Sequence, residues 1–118
     1  MSNRNGSGWC APPTRLAIYL RDHLCCAYCG SSTESGAQLS LDHLQPRALG
    51  GSNDPTNLLT CCVSCNAARQ DLPLREWLAT LRDKGRDTTG LAARVRRATA
   101  RKLDRAQAKR ILAARNAA

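Results

Sequence analysis

The chain has 118 residues, with 18 lysines and arginines against 9 aspartates and glutamates, and it contains seven cysteines, two tryptophans, two tyrosines and no phenylalanine. This length excludes two full domains, and the shortage of aromatic side chains excludes a large hydrophobic core. The odd number of cysteines excludes a framework in which every thiol is paired in a disulfide within the chain.

The N-terminal segment 1–11 is predicted to be a disordered lead. It is polar at its start and lacks the apolar run of a signal peptide, and no part of the chain approaches the ~18 apolar residues that a membrane span needs. We therefore expect a cytoplasmic protein with no membrane partner. In that reducing compartment, paired Cys-x-x-Cys motifs predict metal ligands rather than disulfides.

The next part of the chain alternates short elements with loops. Apolar residues at helical spacing after a Pro-Pro pair predict a helix over 12–24. Alternating apolar and polar residues predict a strand over 37–43, and a second short strand is predicted over 58–61. The proline, glycine and asparagine residues of 44–57 predict a loop that joins the two strands.

Two helices are predicted after the second strand. The first is short and covers 63–70. The second begins at Asp71-Leu72-Pro73, with Asp71 as its N-cap, and a turn over 84–90 follows it. Its apolar residues recur at i, i+3, i+4 and i+7, which predicts a stripe facing the core. These residues are Leu74, Trp77, Leu78 and Leu81.

The positive charge lies in the tail. Residues 1–81 contain six basic and six acidic side chains, whereas 82–118 contain twelve basic and three acidic ones. Residues 91–115 are rich in alanine and arginine and lack glycine and proline, which predicts one continuous helix. Such a tail predicts DNA as a partner, although a solvated helix without a partner has the same composition. The cations predicted to form one stripe are Arg94, Arg97, Arg101, Arg105 and Lys109, the four arginines being the predicted DNA contacts.

Two Cys-x-x-Cys motifs, separated by 32 residues, can each place two thiolates on one tetrahedral ion. Zinc (Zn2+) suits four sulfur ligands, and a site closed by four protein ligands is structural rather than catalytic. Gly30 follows the first motif and permits the tight turn that such a site needs. Zinc would also stabilise a fold with a small core. The predicted ligands are Cys26, Cys29, Cys62 and Cys65.

The sequence leaves the register of this site open. Cys25 and Cys61 directly precede two of the predicted ligands and could serve in their place at three-residue spacing. We favour Cys26 and Cys62 because both then form the same Cys-x-x-Cys motif. Under this choice Cys25, Cys61 and Cys10 are spare thiols.

Polar residues suited to catalysis lie between and just after the two motifs. A predicted strand ends in Asp42-His43, and Asn66 begins a predicted helix. The side-chain oxygens of Asp42 and Asn66 suit a magnesium ion that also accepts phosphate oxygens, and His43 has the pKa range of a general base. A base, a hard cation and a basic protein together predict phosphodiester hydrolysis.

Residues 24–71 contain five separated motifs, which in order are Cys-Ala-Tyr-Cys-Gly, Leu-Asp-His-Leu-Gln-Pro-Arg, Gly-Gly, Asn-Asp-Pro-Thr-Asn-Leu and Cys-Val-Ser-Cys-Asn. Together these motifs resemble the HNH endonucleases, which have the ββα-metal fold. The resemblance implies a ββα-metal nuclease core. The residues themselves predict the four-Cys zinc site that holds this core, the flanking helices and the basic C-terminal helix, so we expect a small α+β protein. The predicted limits are 12–85 for the nuclease domain and 86–118 for the basic helical tail.

The resemblance implies a role for each polar residue. His43 is the general base that activates water, Asp42 and Asn66 bind a catalytic magnesium or manganese ion (Mg2+ or Mn2+), and Asn57 holds the loop that bears the histidine. Many members have histidine where this chain has Asn66, and an amide oxygen is the harder ligand. Arg69 stands where members often carry a lysine, so it is a candidate phosphate contact. In this family one metal ion stabilises the leaving 3′-oxygen, and cleavage leaves a 5′-phosphate.

Two other functions are compatible with the sequence. A zinc-stabilised DNA-binding module without catalysis needs only the four-Cys site and the tail, and a redox protein would use the Cys-x-x-Cys motifs. Binding alone does not require the polar set around His43, which favours the nuclease. Arg47, in the loop after it, is either a DNA contact or a solvated loop charge. The sequence indicates neither a target sequence nor an oligomeric state.

Overall fold

The computed structural model describes residues 8–117. In this part of the chain, a two-stranded antiparallel hairpin leads directly into a short helix, and further helices surround that unit. The predicted small α+β fold is thus confirmed. The helices are α1 Pro12–Arg21, α2 Val63–Arg69, α3 Leu74–Asp83, α4 Leu91–Ala100 and α5 Arg105–Ala117, and the strands are β1 Leu39–His43 and β2 Leu58–Cys62.

The hairpin sets the end of β1 beside the start of β2. His43 pairs with Leu58, and Leu39 pairs with Cys62. Both strands and α2 lie where the sequence predicts them, to within two residues at either end. The intervening loop contains two short 3-10 turns, Arg47–Leu49 and Pro55–Asn57.

Helix α1 covers one face of the hairpin. Ile18 is fully buried and packs with Leu41 from β1. The helix ends at Arg21, three residues earlier than predicted, because His23 and Leu24 have φ angles of 64° and 57°. A positive φ cannot continue a right-handed helix.

Helices α3 and α4 cover the opposite face. Trp77 and Leu81 of α3 and Leu91 and Val95 of α4 are buried in one cluster with Leu59 of β2. The predicted core stripe of α3 is therefore confirmed, and Trp77 is a core residue that is only 1% exposed.

The prediction that Asp71 caps α3 is wrong. The helix begins at Leu74, directly after Pro73, and no side chain caps its first turn. Pro73 disfavours helical backbone at Leu72, so a helix cannot start earlier. Asp71 instead lies exposed in the preceding turn.

The prediction of one continuous helix over 91–115 is also wrong. Helix α4 ends at Ala100, and Arg101 has an extended backbone with φ −72° and ψ 144°. The Asp104 carboxylate accepts a hydrogen bond from the backbone N–H of Gln107 at 2.9 Å, so it caps a new helix.

Packing against α1 reinforces this break. Ala108 of α5 is fully buried against Leu16 and Ala17 of α1, and Leu103, in the linker between α4 and α5, packs against the same cluster. The predicted stripe of five cations on one helix does not exist as such. Its members are divided between α4, the linker and α5.

Part of the predicted lead is packed against the fold. Residues 1–7 lie outside the described residues, so the prediction of disorder stays a prediction there. It is wrong for Trp9 and Cys10, because Cys10 is buried beside Ile18 and Leu41 and Trp9 packs on the same cluster. Within residues 8–117, no helix is long and apolar enough to cross a membrane.

Candidate active site and metal centre

The four cysteines of the two Cys-x-x-Cys motifs lie together. Their sulfur atoms are all within 4.8 Å of one another, and Cys29 Sγ lies 3.8 Å from Cys62 Sγ. A tetrahedral zinc ion with Zn–S bonds of about 2.3 Å separates its sulfur ligands by about 3.8 Å, whereas a disulfide needs about 2.05 Å. This cluster can hold a metal ion such as zinc.

Backbone hydrogen bonds shape both motifs for metal binding. The N–H groups of Tyr28 and Cys29 lie 3.4 Å from Cys26 Sγ, and the N–H group of Cys65 lies 3.4 Å from Cys62 Sγ. Each motif thus turns its own N–H groups toward its first sulfur, which favours the thiolate form that binds metal.

The cluster contains Cys26 and Cys62 rather than their neighbours. Cys25 donates its S–H to the carbonyl oxygen of His23 at 3.1 Å, and Cys61 is fully buried in the core beside Trp77. The register left open by the sequence is therefore decided by the direction of each side chain.

The electrostatics of the cluster suit a cation. Burial raises the pKa of the Cys26 and Cys65 thiols because a buried thiolate loses its hydration. Burial acts in the same direction on Cys29, but hydrogen bonds from Ser31 outweigh it and lower the pKa of the Cys29 thiol to about 6. A divalent cation would stabilise all four thiolates.

Asp42 is buried near the end of β1 and is only 4% exposed. Its Oδ2 accepts a hydrogen bond from the Tyr28 hydroxyl at 2.5 Å and forms an ion pair with Arg69. Burial raises the pKa of this carboxyl, and the charge of Arg69 opposes that rise. The other carboxylate oxygen, Oδ1, lies outside both of these bonds.

Tyr28 connects the four-Cys cluster to Asp42. It lies between Cys26 and Cys29 in the chain, and its ring packs edge-on against Trp77, with centroids 5.6 Å apart. Burial and the negative charge of Asp42 raise the pKa of the Tyr28 phenol, so it remains a hydrogen-bond donor. A change at the metal cluster therefore reaches Asp42 through one side chain.

Arg69 is fully buried rather than displayed on the surface. Besides its ion pair with Asp42, its guanidinium donates to the carbonyl oxygens of Leu44 at 2.5 Å and Leu72 at 3.1 Å. The phosphate contact implied by the resemblance stays a prediction, and it would require this side chain to leave its protein partners.

His43 ends β1 and is half-buried. Its Nε2 lies 2.9 Å from Asn53 Oδ1. The Trp9 ring packs on the imidazole with centroids 5.0 Å apart and planes at 35°, and the Arg15 guanidinium lies 5.3 Å from the centroid of Trp9. The imidazole is thus held both at one nitrogen and on one face.

Asn57 ties together the loop that carries His43. Its Oδ1 accepts from the Gln45 N–H at 2.9 Å, and its Nδ2 donates to the Ser52 carbonyl at 2.8 Å and the Gln45 carbonyl at 3.2 Å. A Cβ at Gly51 would lie 1.7 Å from the Gln45 carbonyl oxygen, so only glycine fits this close approach. Through these contacts Asn57 connects the two ends of the loop that follows His43.

Helix α1 anchors the far end of the same loop. The buried Arg21 donates to the carbonyl oxygens of Pro55 at 3.1 Å and Leu58 at 2.7 Å. Its guanidinium is held in turn by an ion pair with Asp22 at 2.8 Å. The two residues fix the turn that contains Asn57.

Asn66 lies in α2 with a defined amide orientation. Its Nδ2 donates to Ser40 Oγ at 2.8 Å and to the Leu41 carbonyl at 3.2 Å. A carbonyl oxygen only accepts, so the atom facing Leu41 must be the amide nitrogen. The amide oxygen lies outside both bonds and is the atom that could bind a cation.

Asp42, His43 and Asn66 line one open cavity of about 240 Å³. Their convergence is possible because β1 ends at His43, which frees that side chain from strict alternation. The carboxylate and the amide oxygen are ligands that suit Mg2+ or Mn2+, and the imidazole lines the same cavity. The same cavity is also lined by Trp9, Arg47 and Asp71.

The match to a known family covers most of this region. Residues 26–73 match the family model described as HNH endonuclease, from the first cysteine of the cluster to the residue before α3. This match, over 48 of the 118 residues, supports the HNH endonuclease family for this segment. No curated protein and no solved structure gave a match to the chain. The HNH segment, residues 26–73, therefore contains both the metal cluster and most of the cavity, and a match to a nuclease family implies nucleic acid as the class of substrate.

The predicted DNA-binding arginines of the tail lie outside the HNH segment. Arg94, Arg97 and Arg101 line a second groove of about 230 Å³, whose floor includes Leu59. Arg105 is exposed on α5, and its Nε donates to Thr14 Oγ1 at 3.2 Å. The structure thus brings three of these arginines together and places the fourth on another helix.

Four residues of the site were not among the sequence predictions for it. Tyr28 and Asn53 both lie inside the motifs that resemble HNH endonucleases. Their place in those motifs is the signal that could have marked them as site residues. Asp71 follows Asn66 by five positions, but its place before a proline made it look like a helix cap. Trp9 lies alone in a polar segment, and no periodicity marks it.

Proposed function

We propose that this protein is a metal-dependent endonuclease that hydrolyses phosphodiester bonds of DNA. The observation that carries the proposal is the cavity of the HNH segment, where Asp42, His43 and Asn66 meet. The strongly basic tail supports DNA as the substrate, because cations favour a polyanion.

His43 acts as the general base and takes the proton of the attacking water. It lines the open cavity and is half-buried, so both solvent and a bound phosphate can reach it. Asp42 and Asn66 would hold Mg2+ or Mn2+, which supplies Lewis-acid stabilisation of the charge on the departing oxygen. Asn57 keeps the loop after His43 in place, and Arg47, on the same cavity, contacts the DNA backbone.

Zinc occupies the four-Cys cluster in this proposal and has a structural role. All four ligand positions are supplied by protein sulfur, which leaves no open position for water or substrate. Zinc at this cluster would stabilise the turn that carries Tyr28, whose hydroxyl donates a hydrogen bond to Asp42.

The deciding experiment is conversion of supercoiled plasmid in a series of divalent metals, with His43→Ala as the test variant. We expect the parent to cleave with Mg2+ or Mn2+ and the variant to lose about 10²–10⁴-fold in rate, as is typical when a general base is removed. The chain's only other histidine, His23, supplies the control. His23→Ala should keep the parent's rate at saturating DNA.

Equal zinc content and melting temperature in parent and variants exclude unfolding as the cause. Cleavage by His43→Ala at the parent's rate would refute the role of this residue. Salt-sensitive DNA binding without cleavage under any metal would instead support the non-catalytic binding module.

The salt dependence of DNA binding tests the tail arginines, and the break after α4 allows them to be tested in pairs. We expect Arg94→Gln/Arg97→Gln to reduce the slope of log K against log salt by about 1.8, or about 0.9 for each phosphate that the protein no longer neutralises. A second pair, Arg101→Gln/Arg105→Gln, should act in the same way if both arginines reach DNA.

The matched control removes two exposed charges of α3, in Arg75→Gln/Arg82→Gln. Binding of the parent and the three double variants to one duplex, followed over a salt series, gives each slope. An unchanged slope in either tail pair would show that this pair does not contact DNA.

A further inference from the structure

The contacts of Asn53 define which nitrogen of His43 carries a proton. The same oxygen, Asn53 Oδ1, lies 2.9 Å from His43 Nε2 and 3.1 Å from Arg47 Nη1. A guanidinium has only N–H donors, so the atom that faces Arg47 must be the amide oxygen and not the amide nitrogen. That oxygen only accepts, so His43 Nε2 must donate.

A neutral imidazole has a single N–H group, so a proton on Nε2 leaves the lone pair on Nδ1. We propose that Asn53 is a positioning residue that holds His43 in this tautomer, with Nδ1 as the nitrogen that takes the proton from water. Arg47 fixes the amide of Asn53 in the required orientation. The proposal rests on the function proposed above, in which His43 is the general base.

The packing of Trp9 on the imidazole face complements this hydrogen bond. A hydrogen bond at one nitrogen leaves the ring free to swing about it, and a flat aromatic surface at 35° to the ring restricts that motion. Asn53 thus selects the tautomer, and Trp9 limits the orientation of the ring.

Losing a group that fixes the tautomer of a catalytic histidine is costly in other enzymes. In serine proteases with a Ser-His-Asp triad, a wrong tautomer lowers kcat by about 10⁴-fold. Asn53 is neutral and exposed, so a smaller effect of about 10–100-fold is expected, which corresponds to the loss of one hydrogen bond to the charged imidazolium that forms when His43 takes the proton.

The test compares two variants of nearly the same shape. Asn53→Leu removes the acceptor oxygen, and Asn53→Asp keeps an acceptor in the same position. We expect Asn53→Leu to lower kcat by about 10–100-fold with KM nearly unchanged, and Asn53→Asp to retain most of the activity. Equal zinc content and melting temperature show that both variants are folded.

The second readout is the tautomer itself, measured by nitrogen-15 NMR at about pH 8.5, where an ordinary imidazole is neutral. The parent and Asn53→Asp should show the proton of His43 on Nε2, and Asn53→Leu should show a mixture of tautomers. His23 gives the internal reference, because its signals should be the same in all three proteins.

Two results would overturn the proposal. One is a parent spectrum with the proton on Nδ1. The other is an Asn53→Leu variant whose His43 tautomer matches the parent's, whatever its activity. A parent that cleaves nothing under any metal refutes the endonuclease function, and the NMR spectra still decide what Asn53 does to His43.

Discussion

Replacement of Cys26 by serine is expected to unfold the HNH segment and to release its zinc. Structural zinc contributes about 10–16 kcal/mol of apparent folding free energy in small zinc domains, which is as large as the total stability of most domains, about 5–15 kcal/mol. The few aromatic residues of this chain cannot compensate for such a loss. Zinc content by mass spectrometry under native conditions and thermal unfolding by circular dichroism measure the effect.

The neighbouring cysteine provides a matched control. Cys25→Ser changes the same atom one position earlier, but this thiol only donates to the His23 carbonyl and lies outside the sulfur cluster. It should keep the zinc and stay within about 0.5 kcal/mol of the parent's stability. Loss of zinc in Cys25→Ser but not in Cys26→Ser would contradict the register of the metal site.

Removal of zinc should also abolish the cleavage proposed above, and the structure gives a reason beyond general unfolding. Tyr28 lies between the two cysteines of the first motif and donates to Asp42. Without the metal, the turn that holds Tyr28 loses its constraint, and a buried carboxylate loses one of its two charge-stabilising partners. We therefore expect the stability and the proposed activity to depend on the same turn.

The second large effect is expected from Arg69→Met, which breaks the buried ion pair with Asp42. Removing one partner of such a pair leaves an uncompensated buried charge and costs about 3–5 kcal/mol. Arg69 has no exposed surface, and it also donates to the Leu44 and Leu72 carbonyls. The free energy of unfolding in urea, measured on the zinc-bound protein, should fall by this amount.

Two further variants show whether the pair is the cause. Arg75→Met removes an exposed arginine from α3 and should change stability by no more than about 0.5 kcal/mol. Arg69→Met/Asp42→Asn removes both charges and should recover part of the loss, because the buried carboxylate is gone. If Arg69→Met is as stable as the parent, the ion pair does not hold α2 against β1.

Short-range patterns in the sequence predicted local structure correctly. The alternation in 37–43, the spacing of Leu74, Trp77, Leu78 and Leu81, and the two Cys-x-x-Cys motifs each depend on residues a few positions apart, and the structure has the corresponding strand, helix and cluster. Periodicity and ligand spacing depend on the local geometry of helices, strands and turns. That geometry is the same wherever the segment lies in the fold.

Contacts between distant parts of the chain could not be predicted from such short-range patterns. Arg69 meets Asp42 across 27 positions, and Tyr28 meets it across 14. Both residues have other common roles, as a phosphate contact and as packing beside zinc, and their own neighbours in the sequence favour those roles. Only the return of α2 over the hairpin brings the three side chains together.

The secondary structure of the tail also could not be predicted from local patterns. Composition favours one helix from 91 to 115 because alanine and arginine are good helix formers. The break after Ala100 comes from the cap at Asp104 and from the burial of Leu103 and Ala108 against α1, and tertiary packing of this kind outweighs propensity.

The sequence by itself predicted the two pairs of metal-binding cysteines and the order of the two strands and the helix, because these depend on residue type and local spacing. The roles of the candidate catalytic residues came from a resemblance and stay predictions. The tertiary structure alone decided which sulfur atoms meet, that Arg69 is buried against Asp42, and that Asn53 and Trp9 hold His43. The physical reason is that a side chain's partners are set by the path of the whole backbone, and that path follows from burial summed over the chain.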